Sequence, residues 1–456
     1  MSGVWQKIDR LAPVFDDESL VADGGLLVAA TLFDRLGLEA LVDETVRLEG
    51  RVGGANPGRK VLSVVSSMLV GGSHIDHVDA LRSGSSGRVL GFGVMAASTV
   101  GTFLRSFSWG HVRQLEKALG ETLGRVWALG AGPGEGEVVL DLDSTICEVS
   151  GKTKAGASYG YTKQLGYHPL LAFRADTAEV VGARLRGGAS QRGVVNFAKE
   201  TIGRVRRAGA SGQITIRADS GFWSYDMFDT LNRLEVGWSV TTPLRKNIVR
   251  TIGDIDKKAW TPIDYPQRGE AQVAETVLRA TNPTSGTEHL DLRLVVRRSR
   301  LKGAQQKLWP DWRYHAFVTN LNQAAAEVDR HHHPADATVE TDRYHRAHAT
   351  CELAIRDLKE SAGLNHLPSA SFAANAAWLL CSALAHNTYR WIPLLARTQP
   401  PRQLTVGKTI RRRLFRIPAR IVNHGGKHLL RLPARWPWAA TYQTTLQELR
   451  ALPQLC

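Results

Sequence analysis

Asp143, Asp219 and Glu352 are the residues of this 456-residue chain whose type and placement could do chemistry. The stretch VVLDLDST alternates, with Val138, Leu140 and Leu142 on one face and Val139, Asp141 and Asp143 on the other, so Asp143 falls at a strand end. QITIRADSGF repeats the pattern and ends a later strand on Asp219. A carboxylate at the end of an inner strand is costly unless it has a partner or binds a metal. Two such ends, joined by a Glu from a helix packed on the sheet, make a hard-oxygen site of the kind magnesium occupies. Two ions about 4 Å apart can activate an attacking oxygen and stabilise a leaving one in an in-line phosphodiester displacement. Asp141 shares the face of Asp143 and is an alternative first acid or a supporting one.

The segment 342–361 predicts one amphipathic helix that carries Glu352. His345, His348, Arg356 and Lys359 lie at −7, −4, +4 and +7 from it, within about 40° of one line. Cys351, Ala354, Ile355 and Leu358 form the adjacent core-facing stripe. A solvated charged face gives the same pattern, and only the two strand-end acids tip the balance toward a site. On the functional reading, His345, Arg346, His348, Arg356 and Lys359 face nucleic acid.

The net charge of +15 supports a polyanionic substrate, and its distribution is informative. Between Glu360 and Glu448 there is no Asp or Glu, while twelve Lys or Arg occur, among them Arg411, Arg412, Arg413 and Arg416. A clustered basic face is the footprint expected for a phosphate backbone. Leu414, Phe415, Ile417, Ile421, Trp436 and Trp438 are interspersed, so the segment is expected to fold. Four scattered cysteines give neither zinc spacing nor a disulfide framework, which makes a reducing cytoplasm the default. No apolar run is long enough to span a bilayer, and MSGVWQKIDR does not read as a secretory signal.

These residues need an α/β frame. Residues 1–129 read as a helical domain, in which a helix capped by Ser98 and bearing Thr102, Arg105 and Ser106 could enter a major groove. The glycine-rich run Gly130–Glu137 marks a boundary. Residues 137–239 then read as three strands, the helix Val194–Ala208, a fourth strand and the helix Ser224–Leu234, a mixed sheet with flanking helices. Residues 240–336 read as a β-rich insertion, 337–395 as the remainder of the core with the Glu352 helix, and 396–456 as the basic DNA-binding and dimerisation segment. FAANAAWLLCSALAHNTYRWI is apolar almost all round and predicts a buried helix. Consecutive His331–His333 read as a polar loop, and Trp309 and Trp312 as core or as platforms for a displaced base.

The blocks DLDST, GYHPLLAF, LRGGAS, IRADSGF and HRAHATCELAIRDLK occur in order, and together they resemble the DDE transposases of bacterial insertion sequences, most closely the insertion-sequence-1380 type, within the RNase H-like superfamily. The resemblance implies an RNase H-like catalytic core, with Asp143, Asp219 and Glu352 as metal-binding acids separated by 76 and 133 residues. It also implies two Mg2+ ions (Mn2+ able to substitute), cut-and-paste DNA transposition and recombination at terminal inverted repeats, a hairpin intermediate, and joining of 3′-OH ends to target DNA. The partners implied are double-stranded DNA and a second copy of the chain on paired ends, at the nucleoid and with no membrane. The broader clan shows Tyr-x2-Arg-x3-Glu-x6-Lys around the last acid; here Lys359 is kept, but His345 and His348 replace Tyr and Arg. An endonuclease or resolvase that cuts without joining, and an inactive relic acting as a DNA-binding repressor, are the competing readings.

Overall fold

Glycine-rich residues 130–136 are where helices give way to strands, with Gly130 and Gly134 at positive φ in the turn. The computed structural model describes residues 11–151, 153–160, 163–188, 193–265, 269–300, 312–321, 334–399 and 403–455. Before the turn lie a short strand β1 (Leu20–Val21) and helices α1 (Leu26–Arg35), α2 (Leu38–Thr45), α3 (Pro57–Leu69), α4 (Ser86–Leu90), α5 (Ala97–Arg105) and α6 (Trp109–Val126). Ser98 lies inside α5, whose N-cap is Ala96, whereas Ser108 and His111 form a capping box on α6.

After the turn come β2 (Val138–Ser144), a small sheet of β3 (Cys147–Glu148), β4 (Ser158–Tyr159) and β5 (Leu165–Tyr167), then β6 (Leu170–Arg174) and β7 (Val180–Arg184). Next follow α7 (Val194–Arg207), β8 (Ile214–Ala218), α8 (Tyr225–Arg233), β9 (Gly237–Thr241) and α9 (Lys246–Gly253). Strands β10 (Thr261–Ile263), β11 (Glu270–Thr281), β12 (His289–Arg300) and β13 (Arg313–Thr319) precede helices α10 (Pro334–Arg346), α11 (Cys351–Ser361) and α12 (Phe372–Leu395). The chain closes with β14 (Ala419–His424), β15 (Lys427–Arg431) and α13 (Ala439–Ala451).

Among the described residues the main sheet has nine strands, in the order β10-β11-β12-β13-β9-β8-β2-β6-β7. β2, β8 and β9 are parallel neighbours, and β6 and β7 run antiparallel to the strand beside them. The strands of the residues expected as a β-rich insertion extend this sheet, because β13 pairs with β9 through Phe317↔Thr241 and Thr319↔Ser239. The sheet is therefore continuous from the inserted strands to the acid-bearing ones.

Helix α12 is the buried helix expected from its composition, and it packs on β7, α3 and α6. Its Asn387 accepts from Val180 N (2.7 Å) and donates to Val180 O (2.9 Å), which covers part of the sheet's edge strand. The C-terminal segment is not a free-standing module. β14 pairs with β1 and β15 with β14, so the two ends of the chain share one three-stranded sheet. No helix among the described residues is long and apolar enough to cross a membrane.

Candidate active site

The parallel pair β2–β8 brings two acids to the same end of the sheet. Leu142 lies opposite Ala218, so Asp143 and Asp219 are the next residues along each strand. Asp219 caps the 3-10 turn Ser220–Phe222 by accepting from Gly221 N (3.0 Å). Asp143 accepts from Ser144 N (2.6 Å).

Glu352 reaches the same place by a route the sequence did not show. The expected continuous helix 342–361 is broken: α10 ends at Arg346, a 3-10 turn spans Ala347–Thr350, and α11 starts at Cys351. The tighter turn rotates the two halves relative to one another. Glu352 stays exposed while His345, meant to share its stripe, is only 3% exposed.

Asp143, Asp219 and Glu352 all line one cleft of about 860 Å³, together with Ser144, Thr145, His168, Arg186, Arg356 and Lys359. Burial pushes the Asp143 carboxyl up to about 6; Asp219 and Glu352 raise it too, against the Ser144 N–H and His348. Asp219 is also raised, again chiefly by burial. Among the described residues no three His, Cys, Asp or Glu side chains clasp a single point. The three acids line the cleft around Asp143, which feels both of the others. Crowded, partly desolvated carboxylates fit divalent cations, whose charge relieves their repulsion and whose hardness suits oxygen donors.

Asp141, the alternative first acid, has different surroundings. It is 1% exposed and receives Arg217 through Nε (2.7 Å) and Nη2 (2.9 Å), and His348 donates to it from Nδ1 (3.0 Å). Its oxygens are occupied, and it supports the strand behind Asp143.

The residues expected to face nucleic acid divide. His345 is bonded at both ring nitrogens, to Ser239 Oγ (2.8 Å) and Thr241 Oγ1 (3.0 Å), and stacks on Phe317 at 4.0 Å. Burial, then neighbouring His315, hold it neutral, so it packs α10 on the sheet and offers no cation. Arg346 pairs with Asp342 (2.9 Å) and lies over Tyr265, on the wall of a second cleft of about 440 Å³ that Glu352 and His348 also line. Arg356 is exposed on the main cleft, and Lys359 beside it donates to Ile146 O (2.7 Å).

Further out, Arg105 is exposed on α5, but Ser106 is buried and donates to Phe103 O (2.7 Å). Arg412, Arg413 and Arg416 are exposed, Arg413 over Trp438 and Arg416 at 3.6 Å from Asp23. Arg411 turns inward and donates to Leu69 O (3.1 Å), Tyr389 Oη (3.2 Å) and Ser361 O. It therefore ties the helical body to the end of α11. Trp312 lies beneath Arg298 (4.5 Å) and Arg300 (4.8 Å), while Trp309 and His331–His333 fall outside the described residues.

Sequence reasoning missed His168, Arg186 and Arg217. The first two sit in GYHPLLAF and LRGGAS, and the third, two residues before Asp219, carries the alternation that gave the acid itself.

A family model described as transposase DDE domain, group 1, matches residues 7–454. No curated protein matches the chain. Among solved structures, the piggyBac transposase, in a cryo-EM structure of its synaptic complex with hairpin DNA, is similar at 10% identity and a TM-score of 0.45. That similarity covers 95% of this chain and 83% of that one.

Proposed function

The chain belongs to the group 1 DDE transposase domain family, and on that premise we propose that it performs cut-and-paste DNA transposition with Asp143, Asp219 and Glu352 as its metal-binding acids. The observation that carries this reading is the meeting of the three acids in one cleft while Asp141, two residues from Asp143, is neutralised by Arg217.

On this reading β7-β6-β2-β8-β9 is an RNase H-like core, lengthened by the strands of residues 240–336. When bound, two Mg2+ ions would supply activation of the attacking oxygen and charge relief on the leaving one. The chain's own residues do the rest. Asp143 and Asp219 are fixed by backbone hydrogen bonds, Arg217 holds Asp141 through two hydrogen bonds behind them, and Arg356 and Lys359 draw the backbone toward the cleft. Bacterial insertion-sequence-1380 membership, recognition of terminal inverted repeats, a hairpin intermediate, 3′-OH joining, pairing of two copies on two ends and action at the nucleoid all belong to the same proposal.

The test uses purified chain, Mg2+ and a supercoiled plasmid carrying the gene within its native flanking DNA, plus a target plasmid. Excision at the flanks with joining to the target is expected. Cutting without joining would make it a nuclease, and DNA binding without either would make it a relic; both outcomes overturn the proposal.

A further inference from the structure

The Tyr and the Arg of the broader clan pattern are both missing around Glu352, and the histidines in their places are committed elsewhere. His345 is buried under β9 and β13, and His348 is bonded to Asp141. The phosphate beside the scissile bond must then be gripped from another wall of the cleft.

That wall carries Arg186 and His168. Both line the cleft with the three acids. Arg186 follows β7 by two residues, and the bridge Tyr167↔Gly187 ties that part of the chain to the end of β5. His168 and Arg186 then hold each other reciprocally: His168 N donates to Arg186 O (3.0 Å), and Arg186 Nε donates to His168 O (2.9 Å). His168 is only 2% exposed, and among the described residues its Nε2 has no hydrogen-bond partner. Gly160 lies against that ring, and a Cβ there would come within 2.5 Å of Nε2.

We propose that Arg186 positions the substrate by holding a non-bridging oxygen of the scissile phosphate, with His168 clamping it in place. The assignment rests on the reading of the cleft given above. Arg186 is half-buried, anchored at Nε, and its charge acts on Asp219, so a phosphate bound at the acids lies beside it. A guanidinium stays protonated even when partly desolvated, and its planar fork matches a phosphate. Arg356, by contrast, is exposed on a helix surface and suits the backbone further out. A donor fixed before the reaction needs no reorganisation during it, so its effect falls on the chemical step rather than on binding.

The experiment compares wild type, R186Q and R186K on flank-bearing DNA in Mg2+, once the cleavage position is mapped. Single-turnover cleavage by R186Q should fall about 100-fold, the usual consequence of losing one fixed oxyanion donor. Its Kd for the same DNA should rise no more than about tenfold, as one phosphate contact among many. R186K, which keeps the charge without the fork, should recover part of the rate. Placing sulfur on either non-bridging oxygen of the scissile phosphate adds a readout that a merely structural role would not move. One diastereomer should slow wild type and no longer slow R186Q or R186K further. Should R186Q fail to fold, R186K and the sulfur substitution decide alone. Equal cleavage by wild type and both variants, or sulfur effects unchanged in the variants, overturns the assignment. A wild type that cuts no DNA sinks the transposase reading, and this assignment with it.

Discussion

Replacing Asp143 by Asn should make the metal-free protein more stable. Burial and the two neighbouring acids raise the Asp143 carboxyl from 3.8 to about 6, a gap that disfavours the ionised form by about 3 kcal/mol at neutral pH. Because the folded-state value is the raised one, the native chain binds more protons than the unfolded chain between those values. Stability from this group is therefore present at low pH and lost as pH rises through about 6. Asparagine keeps the shape, and its Oδ1 can still accept from Ser144 N, but it carries no charge. With an unfolding entropy of about 2.1 cal/mol/K per residue, 3 kcal/mol in a chain of this length corresponds to about 3 °C in Tm. Thermal unfolding of wild type and D143N in chelator, from about pH 4 to pH 8, should show the variant ahead by that margin at the alkaline end and level with wild type at the acid end. Mg2+ should then raise the Tm of wild type and leave D143N unmoved. A D143N protein that melts below wild type at neutral pH without metal would refute the reasoning, because Asp143 would then be a satisfied structural acid.

Asp219→Asn should abolish cleavage and leave DNA binding intact; gel-shift and nicking assays on the same preparation check both, and retained cleavage removes Asp219 from the site. Replacing Arg412, Arg413 and Arg416 together should flatten the log-log salt dependence of DNA binding by about one unit each, while Arg411→Ala should lower Tm instead; an unchanged salt slope would make the segment a packing feature. Arg217→Met should cost about 3–5 kcal/mol in chemical denaturation by leaving Asp141 buried without its main partner; a loss below about 1 kcal/mol would show that the pair does not hold β2 to β8. On end DNA the complex should contain two chains; native mass measurement of one chain per complex that still joins both ends would end the dimer idea.

Strand-end acids were legible because alternation is a local property: β2 and β8 declare their faces within five residues, and the acids follow. The helices α7, α8 and α12 were equally plain, since each carries its own period or its own uniform apolarity. What the sequence hid depends on partners far away. A 3-10 turn at Ala347–Thr350 has no glycine or proline to announce it, and it exists because His345 must reach Ser239 and Thr241 while Glu352 turns to the cleft. The inserted strands carried the right period but no mark of which edge they would join. Arg411 looks like Arg412 and Arg413 in sequence; its bonds to the carbonyls of Leu69 and Ser361 and to Tyr389 Oη distinguish it.

Sharing one small sheet between the two ends of the chain has a consequence in time. Leu20 pairs with Arg420, and Leu455 N donates to Arg35 O (2.8 Å). At about 5–20 residues per second, β14 leaves the ribosome roughly 20–80 s after β1. Throughout that interval α1 and β1 lack the surface that α13 and β14 provide, with Val21 and Leu26 among the side chains the finished protein buries. A product that stops before residue 419 never closes the N-terminal body, so premature termination yields an incompletely folded chain and not a shortened DNA-binding competitor of the full-length one.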